Sequence, residues 1–328
     1  MNNLLIQTRS IDDINTLLTE LQLDSKIIYH ELKEVEKTVQ SIIEKVMQEG
    51  DSGLRDLTEH FDHCRLNDFM VTKSELENAW RNSDPDFRNT IENIIQTVRD
   101  FHNKQLEHSR WFTRNQSILG ELISPIDSIA TYIPGGRASY PSSVIMTVIP
   151  AQIAGVENIL LLTPPNSKGE VPSDILAVAY HLGINSVVRA GGAQAIAAVA
   201  FGTESIPRVD KVVGPGNIYV TVAKKLLYGV VGIDSLAGPS EVVIIADESC
   251  QPHWVALDLL AQAEHDPLSR AILFSPNDKI INQVKNTIEN ELADHPFPFT
   301  KTVPIYLFKV VNLLSAFEMS NTIAPEHL

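Results

Sequence analysis

From residue 128 onward the chain alternates short apolar runs with stretches of helical spacing, and this alternation limits the folds open to it more than any other feature. The runs cover 128–133, 158–163, 186–189, 209–213, 241–246, 270–274 and 303–307. Helical character fills 142–154, 174–182, 193–201, 217–227, 253–264 and 279–292 between them. Strand followed by helix, repeated, builds parallel sheets with both faces covered. The first 110 residues read as helices, with Val35, Val39, Ile42, Ile43 and Val46 at one helical spacing and Phe87, Ile91, Ile94, Ile95, Val98 and Phe101 at another. The expected fold is α/β and doubly wound, preceded by a helical arm or cap.

A sheet of this kind binds ligands beyond the carboxyl ends of its strands, so the loops there are the place to look for chemistry. Three of them end alike: Pro134-Gly135-Gly136-Arg137, Ala190-Gly191-Gly192-Ala193-Gln194 and Gly214-Pro215-Gly216-Asn217. They mark one βα sub-domain between about residues 130 and 240. Glycine lets the backbone approach a bound group, and the free amides of the next helical turn attract negative charge, which suits a dinucleotide. The G-x-G-x-x-G fingerprint is absent, because Gly214-Pro215-Gly216 runs on as Asn217-Ile218-Tyr219. Tight βα turns without a ligand are the competing reading. Gln194 and Asn217 stand where they can hydrogen-bond a ligand, and a helix cap is the other role open to Asn217.

Gln262 and His265 lie three apart on an expected helix and share a face, so amide oxygen and imidazole nitrogen could hold a divalent ion together. Glu264 points elsewhere, as an outer carboxylate or a solvated one. His60-x-x-His63-Cys64 has the letters of a metal site but falls in a polar stretch with Asp62 and Arg65, and reads as a surface turn. Glu326-His327 follows Pro325, whose ring favours an extended or turning backbone. A base on such a loop can be aimed into a cleft, and histidine takes protons near neutrality. Gly238-Pro239-Ser240-Glu241 is no nucleophile elbow, since the G-x-S-x-G frame is missing and the serine precedes its strand.

With 328 residues, 44% of them hydrophobic and 20% charged, the chain has room for two packed domains and a soluble composition. No run resembles a signal peptide or a membrane span, so a cytoplasmic protein is expected. Cys64 and Cys250 are too few for a disulfide framework. A formal net charge of -15 excludes nucleic acid as the expected partner.

Six segments, in order, carry a family resemblance. They are Tyr132-Ile133-Pro134-Gly135-Gly136, Gly191-Gly192-Ala193-Gln194-Ala195 running on to Ala200-Phe201-Gly202-Thr203-Glu204, Val213-Gly214-Pro215-Gly216-Asn217, Ala237-Gly238-Pro239-Ser240-Glu241, Gln262-Ala263-Glu264-His265 and Ala324-Pro325-Glu326-His327. Over essentially its whole length the chain resembles histidinol dehydrogenase, the zinc- and NAD-dependent family that ends histidine biosynthesis. The resemblance implies that Tyr132, Gln194 and Asn217 hold NAD, that Gln262 and His265 are zinc ligands, and that Glu326 and His327 form the acid-base pair. Ser240, Gln262, His265 and His327 would then meet the substrate, L-histidinol.

It further implies two incomplete Rossmann-like domains and a homodimer. The expected division is an N-terminal helical arm over 1–24, a first Rossmann-like domain with its helical cap over 25–131 plus 241–328 carrying zinc and the catalytic residues, and a second, NAD-binding one over 132–240. Family members continue well past Leu328 and draw further zinc ligands from there, so the chain is expected to be truncated relative to the family. A catalytically inactive homologue and a zinc-dependent hydrolase are the alternatives to a dehydrogenase.

Overall fold

The computed structural model describes residues 5–11, 14–21, 25–135, 139–236, 240–265, 269–294 and 304–328. In chain order β1 (Leu5–Ser10) and α1 (Ile14–Glu20) precede the helices α2 (Ser25–Glu49), α3 (Asp51–Asp62), α4 (Lys73–Arg81) and α5 (Pro85–His102). A hairpin of β2 (Arg110–Arg114) and β3 (Ser117–Glu121) follows. Strands and helices then alternate: β4 (Ser128–Tyr132), α6 (Pro141–Ile153), β5 (Asn158–Thr163), α7 (Ser173–His181), β6 (Ser186–Arg189), α8 (Gly192–Phe201), β7 (Lys211–Val213), α9 (Ile218–Leu227) and β8 (Gly232–Ile233). The last stretch is β9 (Glu241–Ile245), α10 (Pro252–His265), β10 (Arg270–Ser275), α11 (Asp278–Asp294), β11 (Pro304–Lys309) and α12 (Leu313–Ile323).

The chain divides into two compact units, Lys33–Ala237 and Met1–Leu32 with Gly238–Leu328. Residues 33–131 therefore gather with the glycine-loop strands, whereas the sequence reading grouped 25–131 with 241–328. In the first unit a five-stranded parallel sheet has the order β6-β5-β4-β7-β8. The chain winds outward from β4 to β6 and returns to β7, which makes the gap between β4 and β7 a topological switch point. One face is sealed by a cluster from α4 to α7 that includes Leu76, Ile91, Val144, Ile145, Val148, Ile149 and Ile175.

The other unit holds a four-stranded parallel sheet, order β1-β11-β10-β9. Helices α10 and α11 cover one face through Leu259, Ala263, Ile281, Val284 and Ile288. Leu17 and Leu21 from the N-terminal segment, with Ala316 and Met319 of α12, cover the other against Phe274 and Phe308. Burial from both sides explains why Ala271, Ile272, Leu273 and Phe274 form an unbroken apolar run, each fully buried.

Two elements depart from the sequence reading. The N-terminal arm is not wholly helical, because residues 5–10 form β1, paired in register from Leu5↔Pro304 to Ser10↔Lys309. Six residues are too few to show a period, and a partner far along the chain decides their state. The β2–β3 hairpin was not foreseen either. Its turn residues Asn115 and Gln116 both have positive φ, 47° and 67°, as a two-residue hairpin turn needs, and an Asn-Gln pair announces this less plainly than Asn-Gly.

Candidate functional site

At the carboxyl end of the five-stranded sheet, Tyr132 closes β4 with its side chain buried, and its phenol oxygen accepts the Gly192 amide at 3.0 Å. That bond ties β4 to the loop that opens α8, two strands away. Burial, helped by the charge of Asp62, pushes the phenol up to about 12 against the opposing Gly192 amide, so it stays protonated and its O–H can donate. Gln194 lies in the first turn of α8 and is 3% exposed. Asn217 caps α9: its Oδ1 accepts the amides of Tyr219 at 3.1 Å and Val220 at 3.2 Å. Its capping role is thus observed, while its amide NH2 group remains on an exposed side chain at the switch point.

Among the described residues, the buried side-chain polar atoms without a partner are Asp62 Oδ2, Thr163 Oγ1 and Arg189 Nε. Thr163 ends β5 and Arg189 ends β6. Asp62 ends α3, and the chain beyond it runs back to pair with β6, with the Arg189 amide on the Phe69 carbonyl at 2.8 Å and the Val71 amide on the Val187 carbonyl at 2.9 Å. All three orphaned atoms therefore belong to the carboxyl end of one sheet, Asp62 acting on Tyr132 there through its charge. Burial pushes the Asp62 carboxyl up to about 6, with His63 opposing. Sequence reasoning passed over Asp62 because it sits in a polar stretch. His60 and His63 are exposed while Cys64 is buried, so this trio forms no joint metal site, and His63 with φ of 55° terminates α3.

In the other unit Gln262 is 8% exposed on α10, and its Nε2 donates to the Ser240 carbonyl at 3.1 Å. That bond leaves Oε1 as the amide atom suited to a cation. The Ser240 carbonyl also accepts the Arg270 amide at 3.2 Å, which fixes the residue just before β9. His327 runs parallel beside Val242: its amide donates to Glu241 at 3.0 Å and its carbonyl accepts Val243 at 3.0 Å. Gln262 and His327 consequently line one cavity of about 510 Å³, together with Asp258, Ala261 and Phe317. Glu326 is exposed and is not among the lining residues. The His265 side chain lies outside the described residues, as do Arg137, Gly238 and Pro239. Among the described residues no three His, Cys, Asp or Glu side chains cluster as a metal site. Ser240 precedes β9, in agreement with its exclusion as an elbow nucleophile.

Comparison with known proteins identifies the family. The family model described as histidinol dehydrogenase matches residues 28–328. A curated histidinol dehydrogenase of Halalkalibacterium halodurans is 43% identical over 298 residues, covering 89% of this chain and 70% of the relative. That of a Synechococcus strain is 45% identical over 301 residues, 89% of this chain and 69% of the relative. Among solved structures, histidinol dehydrogenase from Elizabethkingia anophelis superposes with a TM-score of 0.83 at 33% identity, over 100% of this chain and 76% of that one. No helix among the described residues is long and apolar enough to cross a membrane. The chain belongs to the histidinol dehydrogenase family of oxidoreductases, whose enzymes carry out the last step of histidine biosynthesis.

Proposed function

We propose that the chain oxidises L-histidinol through L-histidinaldehyde to L-histidine, with NAD as electron acceptor and zinc as substrate anchor. The observation that carries this reading is the shared cavity of Gln262 and His327, a cation donor and a base on one wall. When bound, NAD supplies the hydride acceptor and zinc supplies a Lewis acid for the substrate's amine and imidazole. Gln262, through Oε1, and His265 would hold the zinc. Tyr132, Gln194 and Asn217 would hold NAD, and the orphaned Thr163 and Arg189 atoms at the same sheet end support a polar ligand there.

His327 takes the proton from the alcohol oxygen as the carbon loses hydride. Glu326 accepts a proton from the water that adds to the aldehyde, and the hydrate so formed is the species oxidised second. Ser240 orients the substrate. Orientation of this kind supplies a large part of the rate, since a fixed alcohol no longer loses its freedom at the moment of reaction.

In this reading 132–240 is the NAD-binding Rossmann-like domain, and 241–328 carries the zinc and catalytic residues. The enzyme is a cytoplasmic homodimer. Every residue of β2 and β3 is exposed, among them Trp111 (62%), Phe112 (60%) and Ile118 (75%), and a lone apolar ribbon of this kind gains stability from a second subunit. Stoichiometry tests the chemistry: two NAD reduced per L-histidinol consumed is expected, and turnover without NAD or a single reduction would sink the reading. A monomer by sedimentation would remove the dimer.

A further inference from the structure

Helix α9 buries Val220, Ala223 and Leu227 on one face, and between them it also buries Lys224, which is 4% exposed. A charge taken out of water is costly unless other groups satisfy it. Here Nζ donates to the Gly214 carbonyl at 2.5 Å and to Asp234 Oδ1 at 2.8 Å. The same carboxylate closes a ring: its Oδ2 accepts the Gly214 amide at 2.7 Å, and Oδ1 also accepts the Ser235 amide at 2.7 Å. One ion pair thereby holds both polar groups of a single residue. Burial works against the Asp234 carboxylate, but Lys224 and the Gly214 and Ser235 amides outweigh it and keep its pKa below the ordinary value.

Gly214 is the first residue after β7, on one side of the switch point. Its φ is 110°, and a Cβ there would stand 2.4 Å from the Tyr132 carbonyl oxygen, so the loop lies directly against the end of β4. With its amide already given to Asp234, Gly214 has no donor left for a ligand, and Pro215 has none by nature. A ligand approaching this loop meets Gly216 and Asn217. Lys224, although it borders a cavity of about 920 Å³ with Asp234, is 4% exposed and its Nζ is already bonded to Gly214 and Asp234, which leaves it poorly placed for a direct phosphate contact.

We propose that Lys224 and Asp234 are positioning residues for the cofactor: they lock the loop Gly214-Pro215-Gly216-Asn217 in the shape that presents Asn217, and they do so without touching the cofactor. The proposal rests on the reading that this loop holds NAD. A loop made of two glycines and a proline has few side chains of its own to fix it, and the charge-assisted bonds come from α9 behind it and from the chain that leaves β8 beside it.

The experiment compares Lys224→Met, Asp234→Asn and their double variant with Asn217→Ala in the full chain. NAD affinity is read by titration calorimetry, and amide hydrogen exchange over 213–218 is followed without NAD. Each single variant should weaken NAD binding about tenfold or more and speed exchange in that segment, because bonds to charged groups are being lost. The double variant should be no worse than the worse single one, as for two groups acting as one unit. Asn217→Ala should weaken binding while leaving exchange near the native rate at Gly214. If Asn217→Ala weakens binding and the Lys224 and Asp234 variants bind NAD normally, the positioning role is wrong. If Asn217→Ala itself binds NAD normally, the loop is not the cofactor site and both readings fall. Should Lys224→Met not fold, Asp234→Asn, which keeps the shape of the side chain, carries the same two readouts.

Discussion

The two parallel sheets tie their neighbouring segments differently, the five-stranded one at its carboxyl end and the four-stranded one at the start of β9. In the five-stranded sheet the loops are tied to one another by side chains: Tyr132 holds the Gly192 amide, and Lys224 with Asp234 holds Gly214. In the four-stranded sheet the tie is backbone to backbone, His327 lying along Val242, with the Gln262 amide on the Ser240 carbonyl as the side-chain contribution. The first arrangement fixes the loops in shape, which in the proposed reading readies a cofactor surface before any ligand arrives. The second leaves the imidazole of His327 exposed and free to reorient toward a reacting group. A dinucleotide needs a surface shaped in advance, whereas a base must follow a proton that changes place during the reaction.

The largest effect that would break this comparison comes from His327→Asn. It should lower kcat about 10²–10⁴-fold with little change in KM for L-histidinol, because a general base acts in the transition state. Steady-state rates of NAD reduction provide the check, and a change confined to KM would make His327 a binding residue like those of the other sheet. Smaller, and aimed at the separation of the two sites, is Gln262→Ala. Zinc affinity should fall by about 100-fold or more, since loss of an outer partner alone costs on the order of 10–100-fold and Gln262 is proposed as a direct ligand, while NAD affinity stays within about twofold. Competition with a chelator and a parallel NAD titration read the two; an equal loss in both would mean that the sites are not independent.

The smallest expected effect concerns Asp62. Its carboxyl is raised to about 6 in the folded chain, whereas an unfolded aspartate titrates at about 3.9. Between those values the folded state binds the extra proton, so stability falls as pH rises through that window and stays lower above it. Asp62→Asn removes the penalty. The variant should be more stable by about 1 kcal/mol at pH 8, a figure reduced for solvent screening of a partly exposed group, and no more stable at pH 4. Denaturant melts at the two pH values decide it, and a loss of stability at pH 8 would show that Asp62 has an ionised partner in the fold.

Much of this architecture is legible without coordinates, for physical reasons that differ by element. The bounds read for β5 and β6 coincide with those observed, because both strands are buried apolar runs closed by Pro164 and by Ala190-Gly191. The run at 209–213 narrows to Lys211–Val213, since the Val209 amide turns away to the Val199 carbonyl. β1 was illegible because its partner β11 lies at the far end of the chain. The candidate residues were found by motif, but their grouping was not: Gln262 and His327 meet in one cavity only after β10, α11, β11 and α12 have been laid between them. Lys224 did leave a trace, a cation on the apolar face of α9 at helical spacing from Val220 and Leu227, yet the identity of its partner depends on the path through β8.

The pairing of β1 with β11 also sets a timetable for the ribosome. Lys33–Ala237 is continuous in the chain and can collapse as soon as it has left the exit tunnel. β1 cannot, because among the described residues its neighbour in the sheet is β11, which begins at Pro304. At typical elongation rates of about 5–20 residues per second, Leu5–Ser10 waits roughly 15–60 s for its partner to be made. For that interval Leu5 and Ile6 have no sheet to join, so a segment translated well before β11 is among the last to be sheltered.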